Sequence, residues 1–186
     1  MSSNLICIKG EKSSQFYKDW KPWLEETADF YMRFLNNHGG EFSHSPAHEH
    51  EQAIVSLFQA GSAKAGYLSL CEVEIERREG GGRCDLWMIC GDRQYWFEFK
   101  RTNYNPKLSV WGLESSLISA MQQVNSSEYD DKHFGVACIV GATDLMTEDR
   151  EDFYKGFSGK VDYAFRIGPC DDTGMFIYFN LSGGYN

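Results

Sequence analysis

The sequence predicts an α/β fold in a single domain, with a central mixed sheet flanked by helices. Residues 84–101 read as two short apolar runs joined by Gly91-Asp92, a hairpin signal because Gly adopts the φ values that tight turns need. Two stretches, 46–61 and 108–125, repeat apolar residues at helical spacing. The run 134–141, FGVACIVG, is continuously apolar, as a central strand buried on both faces would be.

In chain order, residues 4–9 (NLICIK) predict a short strand. From Pro22 to His38, Leu24, Ala28, Tyr31 and Leu35 keep helical spacing, with Gly39-Gly40 as a stop. Phe16, Tyr17, Trp20 and Trp23 crowd the approach to this helix, and without interleaved basic residues they read as core packing. The second helix begins with Ser45 as N-cap and Pro46 in the first turn, carries Ala53, Ile54, Leu57 and Phe58, and ends at Gly61. A long strand follows over 66–78, and Gly80-Gly81-Gly82 reads as a hairpin loop. This loop is no phosphate cradle, since the G-x-x-x-x-G-K-[ST] pattern is missing and no helix follows. After the central hairpin and a polar loop at 101–106, Val110, Leu113, Leu117, Met121 and Val124 mark a helix over 108–125. Residues 148–157 predict a weak helix, and 161–167 and 175–181 two further strands around the turn-rich GPCDDTG.

With 186 residues, 42% of them hydrophobic, the chain can bury one sizeable core, and no run is long and apolar enough to span a bilayer. The start lacks the features of a secretory signal. Cys7, Cys71, Cys84, Cys90, Cys138 and Cys170 lie mostly within strand-like runs without a C-x-x-C pair, and read as reduced thiols of a cytoplasmic protein. The net charge of -9 argues against a chain that coats nucleic acid nonspecifically, because phosphate neutralisation needs clustered Lys and Arg. Arg77, Arg78, Arg83, Arg93, Lys100, Arg101 and Lys107 do fall in or beside the hairpin, with acidic residues among them. A local basic groove and ordinary solvation both fit.

In the hairpin's second strand, alternation sends Trp96, Glu98 and Lys100 to one face and Tyr95, Phe97 and Phe99 to the other. Two readings of Glu98 and Lys100 stand side by side. They form a solvated face with a weak cross-strand ion pair, or, if Asp85 lies near them, a pair of carboxylates with a lysine, a site for a hard divalent cation and an attacking water.

Asp85, then Glu98-Phe99-Lys100 closing an apolar strand, resembles the PD-(D/E)xK nuclease superfamily, with Cys84 where a proline often precedes the Asp. The order of elements from 46 to 141 is helix, three strands, helix, strand. This resembles the αβββαβ core of the restriction-endonuclease-like fold, with an N-terminal helical extension (1–45) and a C-terminal β extension (142–186) around it.

The resemblance implies a metal-dependent nuclease hydrolysing phosphodiester bonds, most readily a DNA endonuclease. Asp85, Glu98 and the backbone carbonyl of Phe99 would hold Mg²⁺ or Mn²⁺, and Lys100 would position the water. Glu51, on the helix before the strands, matches a further acidic position that would bind a second ion or orient that water, with Glu49 as the runner-up, and Gln122 matches a glutamine on the helix after the Lys strand that would touch substrate or orient the site. The competing reading for Glu51 and Glu49 is that they favour the helix N-terminus electrostatically. Two other functions stay open: a nuclease-like module that binds nucleic acid or a protein without cutting, and a zinc-dependent hydrolase using His44, His48 and His50. A homodimer would suit double-strand cleavage, and the acidic balance would suit a partner protein that delivers the substrate.

Overall fold

The computed structural model describes residues 4–37, 50–77, 80–103, 111–127, 132–142, 155–168 and 174–182. They form an α/β protein with a seven-stranded mixed sheet. The elements are β1 (Leu5–Lys9), α1 (Gln15–Asn37), α2 (Glu51–Lys64), β2 (Leu68–Arg77), β3 (Gly80–Cys90), β4 (Arg93–Asn103), α3 (Trp111–Asn125) and β5 (His133–Ala142). A 3-10 turn at Ser158–Lys160, β6 (Tyr163–Ile167) and β7 (Met175–Leu181) complete them. Strand order is β1-β6-β7-β5-β4-β3-β2. β4 and β5 pair in parallel, and every other neighbouring pair is antiparallel. The N-terminal segment is therefore more than a helical extension, since β1 closes the far edge of the sheet against β6.

Helix α1 begins seven residues before Pro22. Ser14 Oγ accepts a hydrogen bond from Tyr17 N (3.1 Å), satisfying one orphan donor of the first turn. Starting there brings Phe16 and Trp20 onto the buried face with Trp23, Leu24, Ala28 and Tyr31. Pro22 stands inside the helix on its exposed side. The helix-breaking cost of an interior proline, about 3 kcal/mol, is outweighed by fully burying two tryptophans that a later start would not place together. Trp20 meets Tyr95, Phe97 and Phe179, and Trp23 meets Phe58 and Phe97, so the aromatic cluster is core.

Ser45, Pro46 and Glu49 lie outside the described residues. Helix α2 is described from Glu51, with His50 in the N-cap position, and it runs through Gly61 to Lys64. Gly61 is a contact glycine where the sequence suggests a stop: a Cβ there would come 2.9 Å from Thr27 Cα, so its bareness lets α2 lie close on α1. The glycines at 80–82 are likewise strand residues, paired as Arg77↔Gly80, Glu76↔Gly81 and Ile75↔Gly82. The Gly91-Asp92 turn forms as expected, with Gly91 at φ +61.

Helices α1 and α2 cover one face of the sheet, burying Leu86, Met88, Tyr95, Phe97, Phe99, Val136 and Cys138. On the other face, α3 packs on β4 and β5, and Leu113, Ala120 and Val124 meet Ala137, Ile139 and Tyr178. β5 is buried along nearly its whole length, as its apolar run predicts. The five described cysteines are free thiols. Among the described residues no helix is long and apolar enough to cross a membrane.

Candidate functional site

The site is made by two interruptions in the sheet at one level. The β3–β4 ladder runs from Cys90↔Arg93 to Leu86↔Phe97 and stops there. On the other side of β3 the ladder pairs Cys71↔Leu86 and Val73↔Cys84, omitting the step at which Glu72 faces Asp85. Glu72 has φ +54, the left-handed region that costs an L-residue about 1 kcal/mol, and local strain of this kind concentrates at functional sites.

Past Phe97 the edge of β4 that faces β3 is open, and its backbone groups are taken by side chains. Phe99 N donates to Asp85 Oδ2 (2.6 Å) and Arg101 N donates to Glu51 Oε2 (3.1 Å). Between these two donors, Lys100 Nζ donates to the Phe99 carbonyl (2.8 Å) and to Glu51 Oε1 (3.1 Å). Asp85, Glu51, Lys100 and the Phe99 and Arg101 backbone thus form one connected set. It gathers at the C-terminal half of β4, beside the N-terminus of α2, whose dipole favours the negative charge of Glu51.

Burial pushes the Asp85 carboxyl above its ordinary value. The Phe99 N–H and the Lys100 ammonium pull it down, and Glu51 and Glu72 push it up again. Cys84, one residue earlier, is pushed up to about 12, first by burial and then by the charges of Glu98 and Asp85, so its thiol is no nucleophile. Cys138, beneath the site, is also raised well above its ordinary value by burial, with Asp85 and Glu51 adding to it.

A carboxyl raised in the folded state favours folding while it is protonated. Asp85 therefore contributes stability below its ordinary value near 3.8, and this is lost as pH rises through the raised folded value. Asp85→Asn keeps an oxygen for Phe99 N and removes the buried charge. The expected result is a variant that melts higher than wild type at pH 7, with the difference closing in acid. Thermal denaturation across pH checks it, and an Asn variant less stable at pH 7 would contradict the account.

The structure brings together Asp85, Lys100, Glu51 and the Phe99 carbonyl from the expected set. Glu98 lies on the α3 side of β4, 4% exposed, where its charge acts on Cys84. Gln122 sits on the exposed side of α3. The glutamine turned inward is Gln123, whose Oε1 is buried without a hydrogen-bond partner among the described residues. His44 and His48 lie outside the described residues, and His50 is exposed. Glu72, facing Asp85 where the ladder breaks, has a left-handed backbone that periodicity does not reveal.

Among the described residues no three His, Cys, Asp or Glu side chains form a group that could hold a metal ion. The donors present are nevertheless hard oxygens, two carboxylates and a carbonyl, and the Phe99 carbonyl and Glu51 already share one cation, the Lys100 ammonium. This chemistry fits Mg²⁺ or Mn²⁺, which keep several waters and need only one or two carboxylates.

No family model, curated protein or solved structure matches the chain.

Proposed function

We propose that the chain is a metal-dependent nuclease that hydrolyses phosphodiester bonds, with DNA as its substrate and the αβββαβ core of the restriction-endonuclease-like fold as its scaffold. The observation that carries this reading is the opened β4 edge, where Asp85, Glu51, Lys100 and the Phe99 carbonyl converge. The order α2-β2-β3-β4-α3-β5 agrees with the expected core order and supports it.

Asp85, Glu51 and the Phe99 carbonyl are the groups that would hold the ion, with Glu98 as the further carboxylate the motif implies. When bound, Mg²⁺ or Mn²⁺ lowers the pKa of a coordinated water and offsets charge on the phosphate. The protein's own part is positioning and electrostatics. Glu51 and the Phe99 carbonyl hold the Lys100 ammonium at the open edge, where it can orient a water and stabilise negative charge developing on a phosphate oxygen. Asp85 is fixed by the Phe99 N–H, so its other oxygen is directed by the backbone instead of by a flexible partner.

The second reading is a nuclease-like module that binds without cutting. The observation favouring it is that Lys100 is already neutralised by Glu51, while Glu98 is buried.

Cleavage of labelled single- and double-stranded DNA and RNA, by wild type and by Asp85→Asn, with Mg²⁺, Mn²⁺ or EDTA, tests the proposal. The expected result is metal-dependent cutting by wild type alone, together with a metal-dependent rise in wild-type melting temperature that the variant lacks. Folded wild type that cuts nothing, and whose melting is indifferent to both ions, would overturn it in favour of the binding module.

A further inference from the structure

We propose that Trp87 and Trp96 form a stacking platform for unpaired bases, so that the site takes single-stranded nucleic acid. This deepens the nuclease reading and rests on it for the role of the neighbouring carboxylates.

Trp87 and Trp96 are direct cross-strand partners on β3 and β4, with ring centroids 5.7 Å apart and planes inclined by 40°. Alternation places them on the face that carries Asp85 and Glu98. Each is two residues from one of these carboxylates, about 7 Å along its strand. Both indoles are only partly buried, in contrast to Trp20 and Trp23, which are fully buried. Trp87 is held in orientation by its Nε1–H, which donates to Gln94 Oε1 (3.0 Å).

The face around them is open on one side. Helix α3 packs on β4 and β5, whereas on β2 Leu70, the cross-strand partner of Trp87, is 55% exposed and Leu68 is 70% exposed. Opposite Trp96 on β5 stands Gly135, which adds no side chain to the row. The row Leu70, Trp87, Trp96, Gly135 thus crosses the sheet as an apolar strip, with the two carboxylates about 7 Å along the strands from its middle.

Charge decides which form of nucleic acid this strip fits. The chain carries -9 overall, and Glu72 and Glu74 line the exposed edge strand next to Asp85 and Arg83. A duplex keeps its base faces stacked inside and carries the denser phosphate charge, so it gains little from such a surface. Unpaired bases offer their π-faces to aromatic side chains, a contribution that needs no basic groove. Arg83, exposed two residues beyond Asp85, is paired with Glu72 (4.0 Å), so the strip offers aromatic faces and not a cation.

The test uses the full chain in an Asp85→Asn background, so that binding is read without cleavage. A labelled single-stranded oligonucleotide and its duplex are titrated against this protein and against versions that also carry Trp87→Ala, Trp96→Ala, Trp87→Phe or Trp96→Phe. The expected result is preference for the single strand, a loss of roughly tenfold or more in its affinity for each Ala change, and retention of most of it by Phe. The oligonucleotide should also quench tryptophan fluorescence, and the quench should shrink in each Ala variant relative to the parent protein.

Equal affinity of folded Ala variants for the single strand, preference for the duplex, or no binding of either would overturn the platform. The nuclease reading is judged apart, by cutting in wild type. Trp-dependent single-strand binding without cutting would retain the platform and remove the nuclease, and cutting with Trp-independent binding would do the reverse.

Discussion

Replacing Lys100 with alanine is expected to lower cleavage by at least about a hundredfold while leaving oligonucleotide affinity within a few-fold of wild type. The argument is positional. The ammonium donates to the Phe99 carbonyl and to Glu51, so it is held at the open edge of β4 between two of the oxygens proposed for the metal. Groups fixed where charge develops act on the transition state more than on the ground state, so rate should fall and affinity should not. Stability should change little, because the Lys100–Glu51 pair is partly exposed, and pairs of that kind are worth about 0–1 kcal/mol. Glu51 would also keep its bond from Arg101 N. Single-turnover rates and binding isotherms of wild type and Lys100→Ala, with melting curves to show that both are folded, make the measurement. A variant that cuts within tenfold of wild type would remove Lys100 from the mechanism.

How far this site was legible in the sequence depends on the range of the interaction involved. The central hairpin is local: Gly91-Asp92 sets the turn, and alternation sets the faces, so Tyr95, Phe97 and Phe99 are buried against the helices as expected. The resemblance also pointed to Asp85 and Glu51, and the structure places both beside Lys100. What spacing could not show is that β3 and β4 part after Leu86↔Phe97. The expectation gives the metal to Asp85, Glu98 and the Phe99 carbonyl, with Glu51 as a further acidic ligand. In the structure Asp85 accepts from the Phe99 N–H, the Phe99 carbonyl accepts from Lys100, and Glu51 belongs to the connected set whereas Glu98 is buried on the α3 side of β4.

Helix boundaries show the same limit. Pro22 and Gly61 are strong local signals, a start and a stop, and tertiary packing overrides both. At Pro22 the gain comes from burying Trp20 and Phe16, and at Gly61 from the close approach of Thr27. Pairings such as β1 with β6 join residues more than 150 apart and leave no periodic trace.

Asp19 is the clearest residue that sequence reasoning passed over, and it carries the largest expected effect on stability. It lies on α1, 6% exposed, where an unpartnered carboxylate would be costly. Its carboxylate accepts from the Tyr95 hydroxyl and from Gln15 Nε2 (2.6 Å), and lies 3.7 Å from the Arg93 guanidinium. Its backbone carbonyl accepts from the Tyr67 hydroxyl (2.9 Å). One residue thus ties α1 to β4 and to the start of β2. Burial, with the Asp19 bond second, pushes the Tyr95 hydroxyl above its ordinary value, so it stays a donor throughout the working pH range.

Asp19→Ala leaves that buried hydroxyl without its acceptor and removes the carboxylate opposite Arg93. The expected cost is about 2–4 kcal/mol, a fall of roughly 5–15 °C in melting temperature for a domain of this size. Tyr95→Phe removes the donor instead and leaves Asp19 its other partners, so it should cost about 1 kcal/mol. The double variant should cost less than the two changes added together, because both act on one bond. Urea denaturation of the four proteins measures each term. A loss under 0.5 kcal/mol for Asp19→Ala, or strict additivity in the cycle, would mean that α1 is held to the sheet by its aromatic packing alone.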